Sequence, residues 1–146
     1  MKYTMKYTIR KFFPLGGIKG GLLLLFFFLF LTSQTTDDPV MTQQKDITII
    51  NTTSLATDIE GYVSTTPVKV YIQKGKVLRV EALENEETPK YFDMVVKGLM
   101  KKWNGLPVKT ADKAKVDVVT GATVSSEAVI ENVRRGIAYY NYKNKK

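Results

Sequence analysis

The sequence of 146 residues contains no cysteine and no histidine. Without cysteine the chain has no disulfide framework, no thiolate nucleophile, no iron–sulfur cluster and no lipoprotein-type lipid anchor. Without histidine it has no histidine-ligated zinc or haem, and a Ser-His-Asp triad cannot be assembled. Any redox chemistry of this chain therefore needs an organic cofactor.

An excess of positive charge is also largely missing once the N-terminal segment is set apart. The whole chain has 22 basic and 14 acidic residues, for a net charge of +8. Residues 1–33 contain five of the basic residues and no acidic one, which leaves 17 against 14, or +3, in the remainder. That balance is typical of an ordinary protein surface, so we expect no nucleic-acid partner.

Residues 1–33 have the pattern of an export leader, with a basic start, an apolar run and a polar end. The wholly apolar run, Leu22–Leu31, is about half the roughly 20 residues that a membrane-spanning helix needs. We therefore expect a signal peptide that is removed, and a retained membrane anchor is the alternative. Either assignment places the remainder of the chain in the periplasm or on the outer face of the cytoplasmic membrane.

The rest of the chain divides into a polar linker, residues 34–45, and one domain, residues 46–146. A domain of about 100 residues is long enough for a single hydrophobic core. The β-branched residues of Asp46–Ile50 predict an edge strand or the entry to the domain. Val68–Gln73 and Lys76–Leu83 alternate apolar and polar residues, which predicts an antiparallel hairpin.

Two helices are predicted farther along the domain. Apolar residues recur at helical spacing over Tyr91–Trp103, just after Pro89, which suits the first turn of a helix. Lys115–Val119 is a candidate short strand, and Ser126–Tyr140 is a second amphipathic helix. This order of elements predicts an α+β fold in a single domain, with a small antiparallel sheet and two main helices.

The segment DVVTGATVSS, residues 117–126, is the most informative part of the sequence. It is predicted to be a strand, a tight turn of small residues and the start of a helix. Gly121 allows unusual backbone angles and Ala122 adds little bulk. The N–H groups of the helix start and the hydroxyls around them favour phosphate; these hydroxyls belong to Thr120, Thr123, Ser125 and Ser126. A Ser/Thr-capped helix without a ligand is the alternative.

Residues 117–123, DVVTGAT, resemble the flavinylation motif of the FMN-binding domain family. That motif has Asp, two variable residues, Ser or Thr, then Gly, Ala and Thr. The family includes the periplasmic flavin subunits of the sodium-pumping quinone reductase and of the related ferredoxin-oxidising complex. Gly61-Tyr62 ahead of Thr66-Pro67 is similar to the family's opening, and Glu87-Thr88-Pro89 is similar to its E-T-P loop.

The resemblance implies a covalent cofactor, FMN, esterified through its phosphate to the hydroxyl of Thr123. It also implies that Asp117 and Thr120 are needed for recognition by a modifying transferase, which takes FMN from FAD with the help of a divalent metal. Gly121 and Ala122 then form the turn at the attachment point. The further candidate cofactor-binding residues are Glu87, Thr88 and Thr66.

The function implied by the resemblance is electron transfer between membrane or envelope redox proteins, and the sequence offers no pair of residues for acid–base catalysis. Two alternatives remain open: a small flavin-dependent reductase with a soluble substrate, and a non-redox binding module with an unused motif. The sequence departs from the family where Lys90-Tyr91 follows the E-T-P loop, since the family often has glycine there. We therefore expect a less open loop with an aromatic residue near the flavin ring.

Overall fold

Four strands form one antiparallel sheet in the order β1-β2-β3-β4. The structure is a computed structural model that describes residues 39–145, so the predicted leader lies outside the described residues. The strands run in chain order and each pairs with the next along the sequence. Their bounds are Met41–Gln44 for β1, Ile47–Asn51 for β2, Val68–Gln73 for β3 and Lys76–Ala82 for β4.

The predicted hairpin is confirmed by the antiparallel pair β3–β4. Lys74 and Gly75 join the two strands with φ angles of +49° and +72°, which suits a tight hairpin turn. The strand expected over Asp46–Ile50 is β2, shifted by one residue, but its expected edge position is wrong, because β2 pairs with both β1 and β3. Residues 41–44, which the sequence placed in the linker, form strand β1 and pair with β2.

The two predicted helices are also confirmed. The first is α1, Pro89–Leu99, which continues as a 3-10 turn over Met100–Trp103. A short helix, α2, spans Val108–Ala111. The second predicted helix is α3, Thr123–Lys143, which begins three residues earlier than expected. Within residues 39–145, none of the helices has the length and apolar character needed to cross a membrane.

The strand predicted over residues 115–119 is wrong, because this segment pairs with no strand of the described sheet. The edge of β4 that does not face β3 is already paired at Val77. The Val77 N–H donates to Leu106 O at 2.9 Å, and its carbonyl accepts from Gly105 N–H at 2.7 Å. Val119 instead packs against α1, where a methyl group added at Gly98 would lie 2.7 Å from its Cγ2. The apolar residues of the segment thus reflect contact with a helix.

The core lies between one face of the sheet and the helices. Alternate residues of β3 are buried, namely Val68, Val70 and Ile72. Helix α3 crosses this face closely at Gly136, where an added Cβ would lie 3.0 Å from Thr52 Cγ2. The helices contribute further buried side chains, which are Val95, Leu99, Trp103, Val129, Val133 and Ile137. The predicted α+β fold is therefore confirmed as a sheet covered by helices.

A buried polar contact holds α3 on the sheet. Thr52 is fully buried; its hydroxyl donates to Asn132 Oδ1 at 2.7 Å and accepts from Val68 N–H at 2.9 Å. Asn132 in turn donates from Nδ2 to the Ala128 carbonyl at 3.0 Å. Because buried polar groups are costly without partners, this arrangement favours one placement of α3. It thereby helps to position the N-terminus of α3, where the 117–126 motif ends.

Candidate functional site

The site is built around the first turn of α3. Gly121 adopts a φ of +87°, which turns the chain into the helix, and Ala122 is buried. Thr123 is the first helical residue and is exposed. The first helical hydrogen bond runs from Ser126 N–H to Ala122 O at 2.9 Å. The N–H groups before Ser126 have no partner within the helix and give this end a partial positive charge.

Two consecutive buried serines fasten this first turn on two sides. Ser125 donates its hydroxyl hydrogen bond to Glu87 Oε2, in the loop that precedes α1. The hydroxyl of Ser126 accepts a hydrogen bond from Val119 N–H at 3.1 Å. The helix start is therefore tied both to the Glu87 loop and to the segment that leads into it, which limits the freedom of Thr123.

Glu87 joins the helix start to a second loop, residues 61–64. Its side chain is only 7% exposed, and its Oε1 accepts from the N–H groups of Val63 at 2.7 Å and Ser64 at 3.0 Å. Burial alone raises the pKa of Glu87, but the Ser125 hydroxyl and the backbone N–H groups of Ser64, Val63 and Tyr62 outweigh it and hold the pKa below its ordinary value. Glu87 is therefore a charged carboxylate whose two oxygens are both engaged.

Close approach keeps the 61–64 loop against Glu87. A Cβ added at Gly61 would lie 2.6 Å from Glu87 Oε1 and 3.0 Å from Thr66 Cγ2, so the backbone passes where a side chain does not fit. Ser64 accepts a hydrogen bond on Oγ from Glu86 N–H at 2.9 Å. The 61–64 loop, the Glu87 loop and the start of α3 therefore form one connected frame.

This frame borders an open cleft with a volume of about 420 Å³. Its volume falls in the range of roughly 300–1,000 Å³ that is typical of small-molecule and cofactor sites. Two of its walls carry exposed aromatic side chains, Tyr62 at 77% and Tyr91 at 47% exposure. The lining residues are Tyr62, Glu87, Thr88, Tyr91, Gly121, Ala122, Thr123, Val124 and Ser125.

Five of the residues singled out from the sequence meet in this cleft, namely Glu87, Thr88, Gly121, Ala122 and Thr123. Thr88 occupies the N-cap position of α1, but its side chain makes no capping hydrogen bond there. Its hydroxyl is thus not used by the helix that it precedes. Glu87 shapes the cleft by holding its walls together, because its oxygens are occupied by the 61–64 loop and Ser125.

The other three candidate residues lie outside the cleft. Thr66 is fully buried beside Gly61, and its Oγ1 has no hydrogen-bond partner among the described residues. Asp117 and Thr120 are exposed on the chain that leads into the helix. Asp117 borders a neighbouring groove together with Gly98 and Lys102. Asp117 and Thr120 of the motif therefore lie on the protein surface.

Sequence reasoning missed the link between Ser125 and Glu87, although it named both segments. The two residues are 38 positions apart, and no local spacing signals that their side chains meet. The placement of Tyr62 on the cleft wall was missed for the same reason, since it depends on how the 61–64 loop is fastened. Tyr91 was expected near the site, and it lines the cleft.

A metal centre has no support within residues 39–145, where no group of three acidic side chains is placed to hold an ion.

A family model described as FMN-binding domain matches residues 61–138. The match runs from the 61–64 loop into α3 and so includes every segment that lines the cleft. No curated protein sequence matches the chain.

Proposed function

The chain belongs to the FMN-binding domain family, and on that premise we propose that it holds FMN covalently, as a phosphoester on the hydroxyl of Thr123. FMN is the cofactor that the family binds. The covalent attachment, the location of the protein and its role as an electron carrier are the parts that we propose. The observation that best supports the attachment is the position of Thr123, exposed at the first turn of α3 and on the wall of the cleft.

The surroundings of Thr123 fit a phosphate group. The free N–H groups at the start of α3 and the partial positive charge of the helix end favour a phosphate dianion or diester. Thr123 is exposed, so that an enzyme can reach it in the folded domain. The two buried serines that follow it, Ser125 and Ser126, hold the backbone of the turn in place and leave Thr123 as the accessible hydroxyl of the turn within the cleft.

Attachment needs a separate enzyme, an FAD-dependent FMN transferase that acts with a divalent metal. In the proposed reaction the Thr123 oxygen forms a bond to the phosphorus of the FMN half of FAD. The anhydride bond to the AMP half breaks, AMP leaves and the hydroxyl proton is lost. Asp117 and Thr120 are exposed beside the cleft and are available for recognition by this enzyme.

Electron transfer suits the site better than turnover of a substrate. The one carboxylate that lines the cleft, Glu87, is engaged through both oxygens and is not placed to move a proton to or from a substrate. Bound flavin supplies the electron chemistry, and this chain supplies position and local charge. We propose that the redox partners are membrane or periplasmic proteins.

The tether is explained by export of the protein to the periplasm or the outer face of the cytoplasmic membrane. Outside the cytoplasm, FMN that dissociates is diluted and is not replaced from a cellular pool. Even a nanomolar Kd corresponds to only about 12 kcal/mol of binding free energy. A phosphoester removes this dissociation equilibrium. The leader-like pattern of residues 1–33 supports such a location.

Intact mass of the exported protein, co-expressed with a flavin transferase, tests the attachment. We expect the mass of the mature chain plus one FMN less water, and a yellow colour that survives denaturation. Thr123→Ala should lose both, whereas Thr57→Ala, which changes an exposed threonine outside the cleft, should keep both. Covalent flavin on Thr123→Ala would refute the assignment. Turnover of a small soluble acceptor without a protein partner would favour a reductase instead of a carrier.

A further inference from the structure

Tyr62 and Tyr91 are two large aromatic residues on the walls of the same cleft, and both are exposed to solvent. Tyr62 is 77% exposed and Tyr91 is 47% exposed. Both line the cleft with Thr123, although Tyr62 comes from the 61–64 loop and Tyr91 from the first turn of α1. An apolar ring that enters the cleft would cover part of this exposed aromatic surface, which is favourable in proportion to the area removed from water.

Both tyrosines are attached to backbone that the Glu87 segment holds in place. The 61–64 loop, which contains Tyr62, is fastened by the hydrogen bonds from Val63 and Ser64 to Glu87 Oε1. Tyr91 lies in the first turn of α1, where its N–H donates to the Thr88 carbonyl at 3.0 Å. The aromatic walls therefore stand on fixed backbone before any ligand enters, which reduces the ordering cost of binding.

We propose that Tyr62 and Tyr91 contact the isoalloxazine ring of the FMN that Thr123 tethers, and that they form the aromatic part of its site. This inference rests on the proposed function, since it takes Thr123 as the point of attachment. Aromatic rings in stacked or edge-to-face contact are stabilised beyond the effect of area burial. Tyr91 follows the E-T-P loop at a place where the family often has glycine. Its contact with the ring would therefore be particular to this chain.

The proposal has a spectroscopic consequence that does not depend on activity. A tyrosine in van der Waals contact with an excited flavin transfers an electron to it and quenches its fluorescence. We therefore expect the folded holoprotein to emit less flavin fluorescence than the same protein digested by a protease. Each protein carries one covalent flavin before and after digestion. The ratio of folded to digested flavin emission therefore measures the contact with the ring.

The experiment compares this ratio in the wild type, Tyr62→Leu, Tyr91→Leu and Tyr91→Phe, each loaded with FMN by co-expression. The leucine variants remove the aromatic ring, and phenylalanine keeps the shape of Tyr91 but is a poor electron donor. We expect the ratio to rise in all three variants. Tyr142→Leu is the matched control, because Tyr142 is 69% exposed but does not line the cleft, and its ratio should equal that of the wild type.

The outcomes separate this inference from the proposed function. Intact mass reports attachment and fluorescence reports ring contact. A wild type that carries FMN but shows no quenching, or tyrosine variants whose ratio stays at the wild-type value, would overturn the aromatic contact and leave the attachment intact. A wild type without covalent FMN would overturn both proposals at the first step. Because both residues are exposed on the surface, the variants should fold, and circular dichroism checks this.

Discussion

Ser125 donates a hydrogen bond to Glu87 across 38 positions of sequence, and this contact joins the start of α3 to the loop in front of α1. The same carboxylate receives the backbone N–H groups of Val63 and Ser64. A single charged group therefore organises three chain segments around Thr123. Its charge is retained in spite of burial because every hydrogen bond that it receives favours the ionised form.

Ser125→Ala should destabilise the domain without changing its fold. The substitution leaves Glu87 Oε2, in a side chain that is only 7% exposed, without the hydroxyl that it uses. Hydrogen bonds to charged groups contribute about 1.5–3 kcal/mol, and we expect a loss of that order in the free energy of unfolding. Denaturant unfolding at pH 7 measures it. Ser54→Ala, at an exposed serine, is the control, and equal stability of the two variants would contradict the assigned role.

The pH dependence of stability should reveal the same carboxylate. The pKa of Glu87 is lowered in the folded state, so its stabilising effect is complete above the unfolded pKa of about 4.3 and is lost as the pH falls through the folded value. The stability difference between wild type and Glu87→Gln should therefore be largest near neutral pH and shrink below about pH 4. Unfolding curves of both proteins over this range measure it.

Ser125→Ala provides the second arm of this pH experiment. Among the groups that lower the pKa of Glu87, the Ser125 hydroxyl has the largest effect, so its removal should move the folded pKa toward the ordinary value. The stability difference between Ser125→Ala and Glu87→Gln should then depend less on pH than the difference between wild type and Glu87→Gln. A difference between wild type and Glu87→Gln that stays constant from neutral to acid pH would show that the charge of Glu87 does not stabilise the fold.

Gly61→Ala should disturb the 61–64 loop because its new methyl group has no room. The Cβ would lie 2.6 Å from Glu87 Oε1 and 3.0 Å from Thr66 Cγ2. Overpacking of this kind costs about 1–3 kcal/mol, which chemical denaturation can resolve. Glu87→Asp shortens the opposing side chain and frees part of this space. The double variant should consequently lose less stability than the sum of the two single variants, and strict additivity would place the clash elsewhere.

Sequence patterns predicted those elements whose signal is local. The alternation of Val68–Gln73 reflects one buried face of β3, and the helical spacing after Pro89 reflects one buried side of α1. Strand β1, Met41–Gln44, has little apolar alternation because it is an edge strand with mostly exposed side chains. The strand expected over residues 115–119 failed because pairing depends on a free sheet edge, and the edge of β4 is covered near Val77.

The residues of the site show the same contrast between features with a local sequence signal and features that depend on the tertiary fold. Gly121, Ala122 and Thr123 are contiguous and were placed correctly in one turn at a helix start. Thr66 is buried beside Gly61, and its expected role at the cofactor stays a prediction. The partnership of Ser125 and Glu87 depends on the tertiary fold, which brings α3 against the Glu87 loop, and local sequence carries no signal of that approach.

Gly121→Ala should weaken the turn that presents Thr123, and it should do so through the backbone alone. Gly121 has a φ of +87°, a region that residues with a Cβ enter at a cost of roughly 1–2 kcal/mol. The space around it is open, since the nearest atom to an added Cβ is Met94 Cε at an ordinary contact distance of 3.8 Å. We therefore expect a loss of about that size in unfolding free energy, together with slower covalent loading of FMN.

Gly121→Asn separates the backbone cost from any effect of a side chain at this position. Asparagine tolerates positive φ better than alanine, although its side chain is larger. If the conformation of the turn is what matters, Gly121→Asn should be more stable than Gly121→Ala and should load FMN faster. Chemical denaturation and a time course of intact mass measure the two effects. If the larger asparagine proves the more harmful, the turn is limited by space and the conformational argument for Gly121 fails.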